Sequence, residues 1–203
     1  MKSLSPSRPL VLIMIGRPGA GKSFFARQFA ETFNAPLVSY DRLRYELFSK
    51  PSFSAEEQAI IERLAQLQTN ELLKTRSTFI IDGGHDTKAS RVKLSTLARQ
   101  KDYDTLLIWV QTDEPTSKQR SLKRKVAKGE DNLNAPLTEE QYTTMSRRLT
   151  DPTSEPHVVI SGKHTYTTQA RTVLRRLAEA RTSETPAVEA TPRPARHRPI
   201  VIR

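Results

Sequence analysis

Apolar positions along the chain follow two periods. Unbroken apolar runs at Leu10 to Ile15, Phe79 to Ile81, Leu106 to Val110 and Val158 to Ile160, with a shorter stretch at Pro36 to Tyr40, predict five strands, most of them covered on both faces. Between them the spacing is helical. A helix is expected from about Lys22 to Phe33, with Phe25, Ala26, Phe29, Ala30 and Phe33 on one face and Asn34 as its left-handed stop. Asp41 can cap a helix to about Phe48. Ser54-Ala55-Glu56-Glu57 reads as a capping box, followed by the stripe Ile60, Ile61, Leu64, Leu67 and Leu72 to about Lys74.

The second half repeats the alternation. Thr87 or Asp86 caps a helix whose Ala89, Val92 and Leu97 are expected to look inward. Asp113-Glu114-Pro115 starts another, running to Lys128 with little beyond Leu122 and Val126 to bury, so it is expected to stand off the core and move. Thr138-Glu139-Glu140-Gln141 caps a helix carrying Tyr142, Met145 and Leu149. Ala170, Val173, Leu174 and Leu177 line the last, which ends near Arg181.

Strands alternating with helices predict a single α/β domain, a five-stranded, mainly parallel sheet between helices, with its ligand beyond the strands' C-terminal ends. The domain spans about 9–181, with a mobile helical lid at about 113–136, after a polar lead-in at 1–8. From 182 to 203 Pro, Ala, Thr, Glu and Arg replace the apolar pattern, so a disordered basic tail is expected, with Ile200-Val201-Ile202 its one apolar cluster. A length of 203 residues suits one domain with a sizeable core. Without cysteine, disulfides and thiolate metal sites are excluded. Runs this short do not cross a bilayer, and a cytoplasmic protein is expected. The net charge of +11 points to an anionic partner, although most of the basic run at 117–128 reads as a solvated face.

One stretch carries specific chemistry. Gly16-Arg17-Pro18-Gly19-Ala20-Gly21-Lys22-Ser23 fits G-x-x-x-x-G-K-[ST] and sits between the first strand and the first helix, the context a phosphate-binding loop needs. Backbone N–H groups of such a loop wrap a polyphosphate, Lys22 adds a point charge at the β- and γ-phosphates, and the Ser23 hydroxyl is a Mg²⁺ ligand. Gly16, Arg17, Pro18, Gly19, Ala20, Gly21, Lys22, Ser23 and Phe24 are therefore the expected nucleotide-binding residues, in a P-loop NTPase domain.

Asp41, Asp82 and Asp113 also follow directly on predicted strands, so the fold gathers them at the same sheet edge. Asp41 is an acceptor-side base or a helix cap. Arg44, three residues on, is an anion contact or an exposed helix arginine. Asp82 is a Mg²⁺ ligand or a turn residue before Gly83-Gly84, and His85 reads as a solvated loop residue. Arg120 and Arg124, four residues apart on the polar helix, are placed to neutralise charge on a transferring phosphoryl group, or belong to the solvated basic face.

In this order the P-loop, Ser39-Tyr40-Asp41-Arg42-Leu43-Arg44, Phe79-Ile80-Ile81-Asp82 and the Arg120/Arg124 pair resemble the P-loop kinases of the polynucleotide 5′-kinase and zeta toxin group, AAA-type ATP-binding proteins, over about residues 9 to 181. The resemblance implies a phosphotransferase using ATP and Mg²⁺, with Lys22, Asp41, Arg120 and Arg124 catalytic, Arg44 and Arg91 at the acceptor, Ser23 and Asp82 at the metal, and the Ser161-Gly162-Lys163 loop beside adenine. The acceptor is expected to be a polynucleotide 5′-hydroxyl or a nucleotide-like metabolite. A nucleotide sugar, as in zeta toxins, an ATPase switch with no acceptor, and plain nucleic-acid binding are the alternatives.

Overall fold

The computed structural model describes residues 8–124 and 135–182. Each apolar run becomes a strand: β1 (Leu10–Ile15), β2 (Leu37–Ser39), β3 (Phe79–Asp82), β4 (Asp104–Gln111) and β5 (His157–Ser161). All pairings are parallel, in the order β2-β3-β1-β4-β5. Because side chains alternate across a strand, β1 divides its residues between two cores. Val11, Ile13 and Ile15 join Phe79, Ile81, Ile61 and Leu94 on one face, while Leu12 and Met14 join Phe25, Phe29, Ile108 and Val173 on the other.

Helix α1 (Lys22–Phe33) and α7 (Tyr166–Thr182) cover one face, while α3 (Ala55–Leu72) and α4 (Lys88–Gln100) cover the other. Helix α2 (Tyr40–Leu47) links β2 to α3. Helices α5 (Glu114–Leu122) and α6 (Glu139–Arg148) follow β4 and pack against each other through a Ser117–Tyr142 hydroxyl contact of 2.9 Å. Asn34 ends α1 in the left-handed conformation at φ 48, as expected.

Several local expectations give way to tertiary contacts. Ser39, not Asp41, is the N-cap of α2, since its hydroxyl accepts from the Arg42 N–H. Ser54 caps α3 through the Glu57 N–H, but Glu57 does not return the bond and turns its carboxylate to Ser52, Phe53 and Arg44. Ile60 and Leu67 face solvent while Ile61 and Ala65 are buried. On α4 the inward face is Arg91, Leu94 and Ala98, with Val92 and Ala89 outside.

Helix α5 is not detached over its described length. Ser117 and Ser121 are fully buried. Gly19, at φ +75, leaves no room for a Cβ against the Ser117 carbonyl and the Ser121 hydroxyl, so the P-loop lies directly on this helix. Small serines replaced the large apolar residues that the polar pattern lacked. The helix ends at Leu122, short of the expected Lys128, with Lys123 and Arg124 past its end; 125–128, with Val126, lie outside the described residues, as do the 1–7 lead-in and the 183–203 tail.

Candidate functional site

The C-terminal ends of β1, β2 and β3 open on a cavity of about 790 Å³. It is lined by Gly16, Pro18, Gly19, Gly21, Lys22, Ser23 and Phe24 from the P-loop and α1, and by Asp41 and Arg44 from α2. Asp82 of β3 and Arg120 and Arg124 at the end of α5 complete the set. Most of the expected site residues therefore share one space. Ala20 is buried below the loop, its carbonyl accepting from the Thr112 hydroxyl at 3.0 Å. Arg17 turns away to Glu114 at 2.6 Å.

Lys22 lies across the P-loop, its Nζ donating to the carbonyls of Gly16 at 2.7 Å and Arg17 at 3.1 Å. A phosphate oxyanion is a stronger acceptor for an ammonium than either neutral carbonyl, so Lys22 is placed to exchange these bonds for one to a phosphate. Ser23 opens α1 and hydrogen-bonds to Asp82. Burial raises the Asp82 carboxyl above its ordinary range, the neighbouring Asp41 adds to this, and Ser23, Lys22 and Arg27 oppose it. A hydroxyl beside a buried carboxylate is the hard-oxygen donor set that suits Mg²⁺, which binds through one or two protein groups plus phosphate oxygens.

Asp41 sits in the first turn of α2, released from capping by Ser39. Asp41 lines the cavity and is near enough to influence Asp82. Tyr40 lies over the Gly83–Gly84 turn, and burial, with Glu62 nearby, pushes its hydroxyl up to about 12. His85 is packed rather than solvated. It meets Tyr40 edge-on at 6.1 Å, its Nδ1 lies 3.0 Å from the Gly83 carbonyl oxygen, and burial lowers its proton affinity.

Arg44 and Arg91 differ from expectation. Arg44 lines the cavity but is only 5% exposed, with Nη1 paired to Glu57 and Nη2 donating to Gln58 at 2.5 Å. Burial works against the Glu57 charge, but hydrogen bonds from Ser52 and the Arg44 guanidinium outweigh it and leave the carboxyl below its usual range. Arg91 has no exposed surface. Its guanidinium donates to Glu155 at 2.7 Å and to the carbonyls of Asp86 at 2.8 Å and Thr150 at 2.9 Å, so it braces the wall behind the site and does not face an acceptor.

At the other end of the cavity, Arg120 donates to the Gly162 carbonyl at 2.9 Å, joining α5 to the loop after β5. Arg124 lies beyond the end of its helix, so the pair is not held by helical spacing, yet both line the cavity. Lys163 pairs with Asp113, and with Thr116 it holds that carboxyl well below its usual range. Sequence reading missed Gln169, Arg148 and Phe53. Gln169 is 2% exposed and reaches the cavity from α7, its amide donating to the Ser161 carbonyl at 2.8 Å. Arg148 and Phe53 enter from α6 and the loop before α3. Gln169 and Arg148 carry no local signal, because each reaches the site from an element distant in sequence, whereas Phe53 was marked only by its place before the Ser54 cap with Gln58 where an apolar partner is usual.

A family model described as an AAA domain matches residues 11–152. The chain belongs to this AAA domain family. The matched span of the AAA domain runs from β1 through α6 and contains the P-loop, Asp41, Asp82, Arg120 and Arg124. An adenylate kinase of Thermosipho africanus (strain TCF52B) is 29% identical over 126 residues, 56% of this chain. The match spans 59% of that relative's length.

Among solved structures, the Mycobacterium tuberculosis APS kinase in complex with AMPPNP and APS aligns with a TM-score of 0.61 at 17% identity, over 85% of this chain and 99% of the other. A chain of the Pnkp1/Rnl/Hen1 RNA repair complex aligns with a TM-score of 0.58 at 23% identity, over 71% of this chain and 45% of the other. At such identities the likeness is one of fold, and the fold is that of a P-loop NTPase. No helix among the described residues is long and apolar enough to cross a membrane.

Proposed function

We propose that this AAA domain is an ATP-dependent kinase that transfers the γ-phosphoryl group to a hydroxyl acceptor, a polynucleotide 5′-hydroxyl or nucleotide-like metabolite being favoured. The supporting observation is that Asp41, freed from helix capping, lines the same cavity as Lys22, Ser23 and Asp82. Phosphoryl transfer to an alcohol needs a group that takes the acceptor's proton, and Asp41 is a carboxylate of the same cavity suited to that role.

In this reading the P-loop N–H groups and Lys22 hold the β- and γ-phosphates. Ser23 and Asp82, directly or through water, hold Mg²⁺, which neutralises charge on those phosphates. Asp41 orients the acceptor hydroxyl and accepts its proton as the new O–P bond forms. The bond from the γ-phosphorus to the β–γ bridging oxygen breaks, and ADP leaves. Arg120 and Arg124 meet the charge that develops on the transferred group. Cavity-lining arginines and the overall positive charge favour an anionic acceptor.

The test is incubation with γ-labelled ATP and Mg²⁺ against 5′-hydroxyl oligonucleotides, nucleosides, nucleotide sugars and sugar acids. Label on an acceptor, lost in Asp41→Asn by about 10²- to 10⁴-fold while ATP binding persists, is the expected result. Label released only to water, equally by both proteins, defeats the kinase reading.

A further inference from the structure

We infer that Phe53 is a stacking platform for a planar heterocyclic base carried by the acceptor. The inference rests on the kinase reading above and names the chemical group its acceptor pocket takes.

Phe53 immediately precedes Ser54, the N-cap of α3. An apolar residue there normally packs against an apolar residue in the first turn, four positions after the cap. That position is Gln58, whose Oε1 accepts from Arg44 and whose Nε2 donates to Glu62. Phe53 therefore has no apolar partner at the start of its own helix, and it lies outside both apolar clusters of the core. It lines the cavity with Asp41 and stays 37% exposed.

The ring is nevertheless held in place. Phe53 has φ +57, a left-handed conformation that bulky side chains rarely adopt. The Glu57 carboxylate imposes it by accepting from the Phe53 N–H at 3.2 Å, the Ser52 N–H at 2.6 Å and the Ser52 hydroxyl at 2.8 Å. The same carboxylate pairs with Arg44, whose guanidinium carbon lies 4.7 Å from the centre of the Phe53 ring. One buried acid thus fixes both the ring and the cation against it.

A surface of this kind suits a base better than a sugar. An aromatic face offers no hydrogen bonds for hydroxyls to exchange with water, whereas every nucleobase has a π-face to stack. Tyr40, Tyr45 and Phe24 line the same cavity, and Arg124 and Arg148 supply charge for phosphates on the same acceptor. Arg44, with both terminal nitrogens engaged, backs the ring instead of taking an acceptor phosphate.

Two measurements test this. In the first, Phe53→Ala, Phe53→Leu and Phe53→Trp are assayed on a 5′-hydroxyl oligonucleotide and on the same oligonucleotide with an abasic 5′-terminal nucleotide. Stacking predicts that Ala and Leu raise KM for the base-bearing acceptor by about 5- to 100-fold with kcat nearly unchanged. KM for the abasic acceptor stays constant, and Trp retains wild-type behaviour. Equal effects on both acceptors, or wild-type behaviour of Leu, overturn the inference.

The second measurement needs no turnover: 2-aminopurine riboside fluorescence is followed on titration with ADP-loaded protein. Quenching by wild type and Phe53→Trp, lost in Phe53→Ala and Phe53→Leu, supports stacking even if no acceptor is phosphorylated. No quenching by wild type, or equal quenching by all variants, overturns it even if the kinase reading holds.

Discussion

The hydroxyl of Ser23 is hydrogen-bonded to the carboxyl group of Asp82, joining the first turn of α1 to the end of β3. Asp82 is 4% exposed, with Asp41 adding repulsion, so without a cation its charge is unfavourable. Asp82→Asn is therefore expected to raise the melting temperature of the nucleotide-free protein while lowering Mg-ATP-dependent turnover by about 10²-fold or more. Thermal unfolding with and without Mg-ATP checks the first effect, and a steady-state turnover assay checks the second. Equal stabilisation of wild type and variant by Mg-ATP removes Asp82 from the metal site.

Arg91→Ala leaves the Glu155 carboxylate and the Asp86 and Thr150 carbonyls without their donor in a buried setting. The expected loss is about 3–5 kcal/mol of stability by urea unfolding. Arg91→Lys recovers only part of it, since an ammonium does not reproduce the guanidinium fork. Where the variant remains folded, ATP affinity is expected to be unchanged, because Arg91 does not reach the cavity.

Gly162 is packed against the carbonyl of Ala20, and its own N–H donates to Gln111 at 2.8 Å. A Cβ there overlaps the Ala20 oxygen, so Gly162→Ala moves the P-loop or the loop after β5. Stability should fall by about 1–3 kcal/mol, accompanied by weaker ATP binding. Calorimetric titration with ATP separates this from a purely structural effect, in which affinity is retained.

His85 gives a pH signature. Burial, with Arg91 contributing, lowers its pKa from 6.5, against the Gly83 carbonyl, Asp86 and Glu62. Below that ordinary value the unfolded chain binds a proton that the folded chain refuses. Its contribution to stability is therefore complete above 6.5 and is lost as pH falls through that value toward the lower folded one. Asp82, with its raised pKa, acts in the opposite sense. The difference in urea midpoint between wild type and His85→Gln, compared at about pH 7.5 and about pH 5.5, isolates the histidine. It should shift in favour of the variant at the lower pH.

Periodicity alone identified the strands and the α/β alternation because the buried strands are apolar without interruption, as in Leu10 to Ile15. The P-loop was legible because its constraint is local: glycine, lysine and serine at fixed offsets between strand and helix. Contacts closed by distant residues were not legible. Arg91 looks like an exposed helix arginine until Glu155, 64 positions away, is brought to it. Glu57 completes a capping pattern on paper, and only the folded chain shows it serving Arg44 and Phe53. Asp41 and Ser39 both qualify as helix starters, and only the end of β2 decides between them.

The strand order β2-β3-β1-β4-β5 has a consequence for diversification. The P-loop and the Ser161-Gly162-Lys163 loop follow β1 and β5, whereas Asp41, Phe53 and Glu57 lie in the segment between β2 and β3. That segment is a single crossover from the edge strand to its neighbour, and its α3 packs Ile61 and Ala65 against β1 and β3. In the kinase reading, a different stretch grafted between Ser39 and Phe79 with the Ile61 and Ala65 packing kept would exchange the receiving half of the molecule and leave the delivering half intact, making it a modular point at which one engine acquires new cargo.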